Sequence, residues 1–295
     1  MKLCLFDSKQ AGVVVNDKVF PISDILVKNG FLRGDPTMVA VIERLTSEPG
    51  ALQCIDNQVK TGSSVPLASV KLLAPVLNPP SLWAAAANYM DHRKEMEAKA
   101  GREERAVRDK DELMAEFFLK PSSSIIGPGG TVILPKVSKE VDFECELCAV
   151  IGKRARYASE QNALDCVFGY TICWDISQRD PWGRGKNNTR NIRKGFDTFT
   201  ALGPWIVTKD EIDEPQNLSI QVEQNGKVVM NAHTGDMICT LREHIRFLTH
   251  ALTLRPGDLI TTGTPAGVRQ LSDGDHLKGR ISKIGEMELF VRSER

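Results

Sequence analysis

Beyond Pro121 the chain divides into short β-branched or alternating runs: TVILP, DFECELCAVIG, FGYTICWDI, LGPWIVT, LSIQVEQNGKVV, DLITTG and MELFVR. Turn signals separate them, at Gly127-Pro128-Gly129-Gly130, Asn225-Gly226, Pro256-Gly257-Asp258 and Ser272-Asp273-Gly274-Asp275. β-branched residues fit a pleated surface, and glycine, proline and aspartate close the turns between such segments. Helical spacing is scarce here. It is confined to about 159–166 and to 237–252, where Met237, Leu241, Ile245, Leu248 and Leu252 recur at helical intervals. A doubly wound parallel sheet needs a crossover helix between its strands. The pattern argues against one and predicts a β-rich α+β domain.

Upstream, LCLFDSKQAGVVVNDKVFPISD reads as short strands, with Asn16-Asp17 as a hairpin turn. A helical segment is expected near Met38–Leu45. Pro75, Pro79 and Pro80 then punctuate the chain. We place the end of a small N-terminal α+β domain at residue 75, with the larger domain over 76–295. The 295 residues, 41% of them hydrophobic, suffice to fill both. Residues 92–118, HRKEMEAKAGREERAVRDKDELMAEFF, are dense in Lys, Arg and Glu. They form helix readily, and Gly101 can divide them. The plain reading is a solvated excursion; the functional one is a lid over a site.

Lys plus Arg and Asp plus Glu each number 38, so the net formal charge is zero. Such a balance gives no bulk attraction to nucleic acid or to a membrane surface, and any charged ligand must be held locally. No apolar run approaches the roughly 20 residues of a membrane helix. The start MKLCLFDSKQ lacks a signal-peptide core. Seven cysteines, an odd number mostly in apolar stretches, read as reduced thiols of a cytoplasmic protein. Cys145-x-x-Cys148 is no zinc or redox motif on a strand, where that spacing sends the thiols to opposite faces.

The same strand carries the most informative pattern. In VDFECELCAV, Val141, Phe143, Cys145, Leu147 and Ala149 share one face. Asp142, Glu144 and Glu146 share the other, followed by Cys148 and Val150. Neighbouring carboxylates repel unless solvent or a cation separates them. One reading is an outer face that starts wet and ends buried; the other is a cation site. The apolar run FGYTICWDI ends at Asp175 about 30 residues on. A lone acid there is ordinarily a turn cap, but beside Glu-x-Glu it offers a third oxygen. Three carboxylates without His or Cys form a hard site, favouring Mg²⁺, Mn²⁺ or Ca²⁺ over Zn²⁺.

A second stretch, NYMDHRKE, places His92 and Glu95 three apart on one helical face. An exposed pair of this spacing is common. A carboxylate beside histidine also fixes its tautomer and raises its basicity, which is how a base for water is built. Lys120 follows two phenylalanines, Lys194 precedes Gly195, and Gly263-Thr264-Pro265-Ala266-Gly267 follows an apolar strand. Its glycines let backbone approach a ligand, and Thr264 can donate to a carboxylate. Taken singly, each of these is structural.

Together they resemble the fumarylacetoacetate hydrolase family over about residues 72 to 292. NYMDHRKE, FLKPSSSIIGPG, VDFECELCAVIGK, GYTICWDISQRD, KGFDTFTALGPWIVT, LRPGDLITTGTPAGV and the closing IGEMELFV match it in order and spacing. The resemblance implies a mixed β-sandwich roll with its site under a mobile lid, in a homodimer. It implies a divalent cation, Mg²⁺ or Mn²⁺ or Ca²⁺, on Glu144, Glu146 and Asp175. It implies catalytic roles for His92, Glu95, Lys120 and Lys194, and substrate contacts from Asn88, Tyr89, Arg179 and Thr264. The implied reaction is hydrolytic C–C cleavage of an acylpyruvate-like or β-diketo acid, in aromatic or sugar-acid catabolism. Isomerisation, decarboxylation or dehydration of a keto or enol acid on the same metal is the alternative. A binding protein without turnover is a rival of another class. One departure stands out: the usual G-x-N-Y is here Ala86-Ala87-Asn88-Tyr89.

Overall fold

The computed structural model describes residues 1–34, 36–99, 101, 109–180 and 190–295. Two sheets dominate it. The larger has twelve strands and mixed direction. Its centre is the antiparallel trio Thr200–Thr208, Val167–Asp175 and Cys145–Ile151. Leu259–Thr261 extends it antiparallel to Cys145–Ile151, and Leu82–Ala84 then pairs parallel to Leu259–Thr261. The smaller sheet runs Lys227–His233, Ser219–Gln224, His276–Ile281, Gly285–Ser293 and Thr131–Leu134, with the last pair parallel. The architecture is α+β and sheet-rich.

Burial follows side-chain alternation. On the strand Cys145–Ile151, the residues Cys145, Leu147, Ala149 and Ile151 enter one core. That core also holds Leu277, Ile281 and Leu289 of the smaller sheet and Leu241, Ile245 and Leu248 of the helix Leu241–Ala251. Sheet meets sheet closely there: a Cβ on Gly279 would lie 2.4 Å from the Trp174 ring. Cys148 and Val150 point the other way, into a second core with Leu3, Leu5, Ile42 and Leu45. The two thiols of the Cys-x-x-Cys stretch thus lie on opposite sides, and all seven cysteines are free.

The segment before residue 75 supplies that second core. Its meander of Lys2–Phe6, Gln10–Val15 and Lys18–Pro21 joins the large sheet through Lys2↔Val207. Asn16 and Asp17 take φ of 46° and 59°, the left-handed pair of a tight hairpin turn. The helix Met38–Ser47 is capped by Thr37 and lies where expected.

Two helix expectations need correction. Residues 159–166 hold only a 3₁₀ turn, Ala163–Cys166. The Asn162 side chain accepts from Ser159 N at 2.8 Å, and only this short 3₁₀ turn follows before the strand Val167–Asp175. The expected 237–252 helix begins at Leu241, because Thr240 and Glu243 form a capping box there. Met237 instead bridges Tyr89. The 92–118 excursion shows the helices Met90–Lys99 and Lys110–Met114, with Gly101 at φ 63° after the first. Residues 100 and 102–108 of the expected lid lie outside the described residues. No described helix is long and apolar enough to cross a membrane.

Candidate metal centre

Strand register builds the centre. Cys145 pairs with Trp174 and Glu146 with Cys173, and Asp175 N donates to Glu144 O at 2.8 Å. This sets Glu144, Glu146 and Asp175 together at one end of two central strands. One oxygen from each lies within 4.8 Å of the others, and all three residues are buried. The outer-wet reading of this strand therefore fails: a second layer covers that face.

Three cations answer the charge. Lys194 Nζ donates to Glu144 Oε2 at 2.8 Å, Asp175 Oδ2 at 2.5 Å and Ser177 Oγ at 2.7 Å. Lys120 Nζ donates to Asp175 Oδ1 at 2.6 Å and to the Lys194 carbonyl. Arg179 bridges Asp142 at 3.2 Å and Glu144. Burial opposes ionisation of Glu144, but Lys194 and Arg179 outweigh it and hold its carboxyl well below the usual range. Glu146 goes the other way. Burial, then the charges of Asp175 and Glu144, raise it to about 8. Its Oε2 accepts from Gly263 N at 2.8 Å, while its buried Oε1 has no hydrogen-bond partner among the described residues. An orphaned oxygen beside two carboxylates, all hard donors, fits a divalent cation such as Mg²⁺, Mn²⁺ or Ca²⁺.

Gly263 is required by two constraints at once. Its φ is 83°, and a Cβ would stand 2.8 Å from Asn88 Cβ. Asn88 itself is fully occupied by backbone. Its Nδ2 donates to the carbonyls of Cys239 and Thr262, and its Oδ1 accepts from Cys239 N, each at 2.8 Å. Tyr89 lies in the main core. Neither residue, expected to touch substrate, lines the cavity beside the carboxylates, whereas Arg179 and Thr264 do. Thr264 Oγ1 donates to Cys145 O at 3.3 Å. Lys194 reaches the cavity wall; Lys120 does not. Both lysines, for which catalytic roles are expected, are bonded into the carboxylate cluster.

The cavity, about 1030 Å³, reaches the cluster at Glu144 and holds the acid–base pair on its wall. His92 and Glu95 come from the helix Met90–Lys99. His92 Nδ1 lies 3.7 Å from Glu95 Oε2, and its Nε2 lies 3.9 Å from Glu144 Oε1. The imidazole thus stands between Glu95 and the cluster. Burial works against the Glu95 charge, but His92, the Gly267 amide and Lys99 lower its carboxyl to about 2. Ala87, next to Asn88, has φ of 50°, a left-handed conformation that costs a non-glycine residue about 1–2 kcal/mol.

Sequence reasoning did not assign Ser177, Lys99, Arg193 or Arg269 to the site. Ser177 follows Asp175 by two residues and so carried a weak signal. Arg193, Arg269 and Lys99 line the cavity, yet nothing in their local sequence separates them from surface cations.

Residues 81–292 match the family described as fumarylacetoacetate (FAA) hydrolase C-terminal. A maleylpyruvate hydrolase of Aquipseudomonas alcaligenes is 36% identical over 295 residues, 99% of this chain and 100% of that one. A mitochondrial oxaloacetate tautomerase of Bos taurus is 36% identical over 261 residues, covering 85% of this chain and 79% of the relative. The crystal structure of maleylpyruvate hydrolase from Sphingobium sp. SYK-6, in complex with manganese (II) ion and pyruvate, superposes with a TM-score of 0.83 at 31% identity, covering 100% of both chains.

Proposed function

Since this chain belongs to the fumarylacetoacetate hydrolase family, we propose that it is a metal-dependent hydrolase that cleaves a C–C bond in an acylpyruvate-like acid. The observation that carries the reading is the position of His92, between an ionised Glu95 and the buried carboxylates, on the wall of one cavity. Full-length similarity to a maleylpyruvate hydrolase supports the acylpyruvate class. It also supports a place in aromatic catabolism.

Glu144, Glu146 and Asp175 would hold a divalent cation, Mg²⁺ or Mn²⁺. When bound, the ion supplies Lewis-acid charge that polarises the keto oxygen of the substrate. The remaining work belongs to the chain. Glu95 takes the Nδ1 proton side of His92, so the imidazole presents a free Nε2 towards the cluster. That nitrogen accepts a proton from a water, whose oxygen attacks the distal carbonyl. The C–C bond breaks, and its electron pair leaves on the keto-acid fragment, which is then protonated. Lys194, Lys120 and Arg179 fix the carboxylates and balance their charge. Thr264 lines the wall where the substrate carboxylate would lie. The Arg269 guanidinium also lines the cavity and makes no ion pair among the described residues. It suits a second carboxylate at the far end of the acyl group.

The test is turnover of a metal-loaded acylpyruvate panel in ¹⁸O-water. Hydrolysis places one label in the released acid. Loss of a general base costs about 10²–10⁴ in rate, the fall expected for His92→Ala. Similarity to oxaloacetate tautomerases supports a second reading, keto–enol conversion on the same site. Turnover without label would select it.

A further inference from the structure

The helix that carries the acid–base pair has no apolar face. In Met90–Lys99, MDHRKEMEAK, His92 is its one buried residue. Helices in globular proteins are ordinarily held by an apolar stripe against the core. Polar contacts fasten both of its ends. At the start, Asn88 is bound to Cys239 and Thr262. At the far end, Lys99 Nζ donates to Val268 O at 2.9 Å and lies 3.4 Å from Glu95 Oε1. The other Glu95 oxygen accepts from Gly267 N at 3.1 Å and faces His92 Nδ1.

The two Glu95 oxygens are thus divided: Oε1 lies beside Lys99, and Oε2 accepts from the Gly267 amide with His92 Nδ1 3.7 Å away. We propose that Lys99 is a positioning residue for the His92–Glu95 pair. It straps the helix to the loop 267–268 and turns the Glu95 carboxylate so that Oε2 meets the imidazole. The inference rests on the reading of that pair as the water-activating base. Lys99 acts through Glu95 and the loop, and its ammonium is committed to both. A misplacement of about 1 Å can cost as much as 10²-fold in rate, so a loosened carboxylate is a kinetic defect rather than a folding one.

Lys99→Met keeps the aliphatic stem and removes the ammonium. In the metal-loaded full-length protein, we expect kcat to fall about tenfold while KM stays within about twofold. Lys99→Arg should recover most of the loss, because guanidinium can make both contacts. In a Glu95→Gln background, Lys99→Met should add nothing, since the group it orients is already gone. A second readout needs no turnover. Amide hydrogen exchange at Gly267 should quicken in Lys99→Met and stay unchanged along Cys145–Ile151. A raised KM with unchanged kcat would make Lys99 a substrate contact and overturn the proposal. So would an equal loss in the Glu95→Gln background, or unchanged exchange at Gly267. If the wild type hydrolyses no acylpyruvate, the functional reading fails, and the exchange measurement decides the strap by itself.

Discussion

Replacing Glu146 with glutamine separates the charge problem of the centre from its fold. In metal-free protein the Glu146 carboxyl is raised from 4.5 to about 8 by burial and then by Asp175 and Glu144. The folded protein therefore keeps a proton that the unfolded chain releases. Stability from this source is complete below the unfolded value, is lost as pH climbs to the folded value, and is level above it. Inside that window each pH step costs about 1.4 kcal/mol. From about pH 6 to about pH 8, metal-free wild type should lose on the order of 2–3 kcal/mol that Glu146→Gln retains. Glutamine cannot ionise, and its carbonyl can still accept from Gly263 N. The charges agree with this direction: Lys120, Lys194 and Arg179 are matched by Asp142, Glu144 and Asp175, leaving a fourth acid without a counter-charge. The assay is guanidinium denaturation of chelator-treated wild type and variant at stepped pH. Taking their difference cancels the other titrating groups. Saturating Mn²⁺ should abolish the wild-type loss, because binding favours the ionised ligand. A difference that stays flat across this range would refute the reasoning, since it would mean that the lysines keep Glu146 ionised without metal.

Lys194→Met strips the buried Glu144 and Asp175 of a shared partner and should cost about 3–5 kcal/mol in urea unfolding of metal-free protein. Added Mn²⁺ should restore part of it. Gly263→Ala meets both a φ of 83° and the Asn88 side chain, and should lose about 1–3 kcal/mol. Its divalent-ion affinity by calorimetry should also drop, since the Gly263 amide holds Glu146. Thr240→Ala removes the capping-box hydroxyl and should lower stability by about 1 kcal/mol, read as a depressed Tm with metal affinity unchanged.

Much of the centre was legible in the sequence because a strand has a period of two. Alternation alone put Glu144 and Glu146 on one face and sent Cys145 and Cys148 to opposite ones. The i,i+3 spacing likewise placed His92 and Glu95 together on one helix. Local chemistry fixed the Asn16-Asp17 hairpin and the Thr37-capped helix. It misled at 159–166, where the composition suits a helix but the strand Val167–Asp175 begins at once and leaves room only for a 3₁₀ turn. The helix Pro49–Thr61 went unpredicted; only Ala51 and Ile55 of it are buried, so its apolar stripe is thin.

The sequence by itself determined which residues could ligate a cation, and on which strand face they stand, because those depend on chemistry and period. Tertiary structure decided what the carboxylates meet. Whether Glu146 faces water or protein depends on chain far away in sequence, such as Gly263, whose amide its Oε2 accepts from. Lys120 and Lys194 became counter-charges, and Asn88 a backbone clamp, through partners 50 or more residues distant, apart from the closer Asp175–Lys194 and Ser177–Lys194 contacts. Ionisation in a dry site is set by the sum of such neighbours, which no local window of sequence contains.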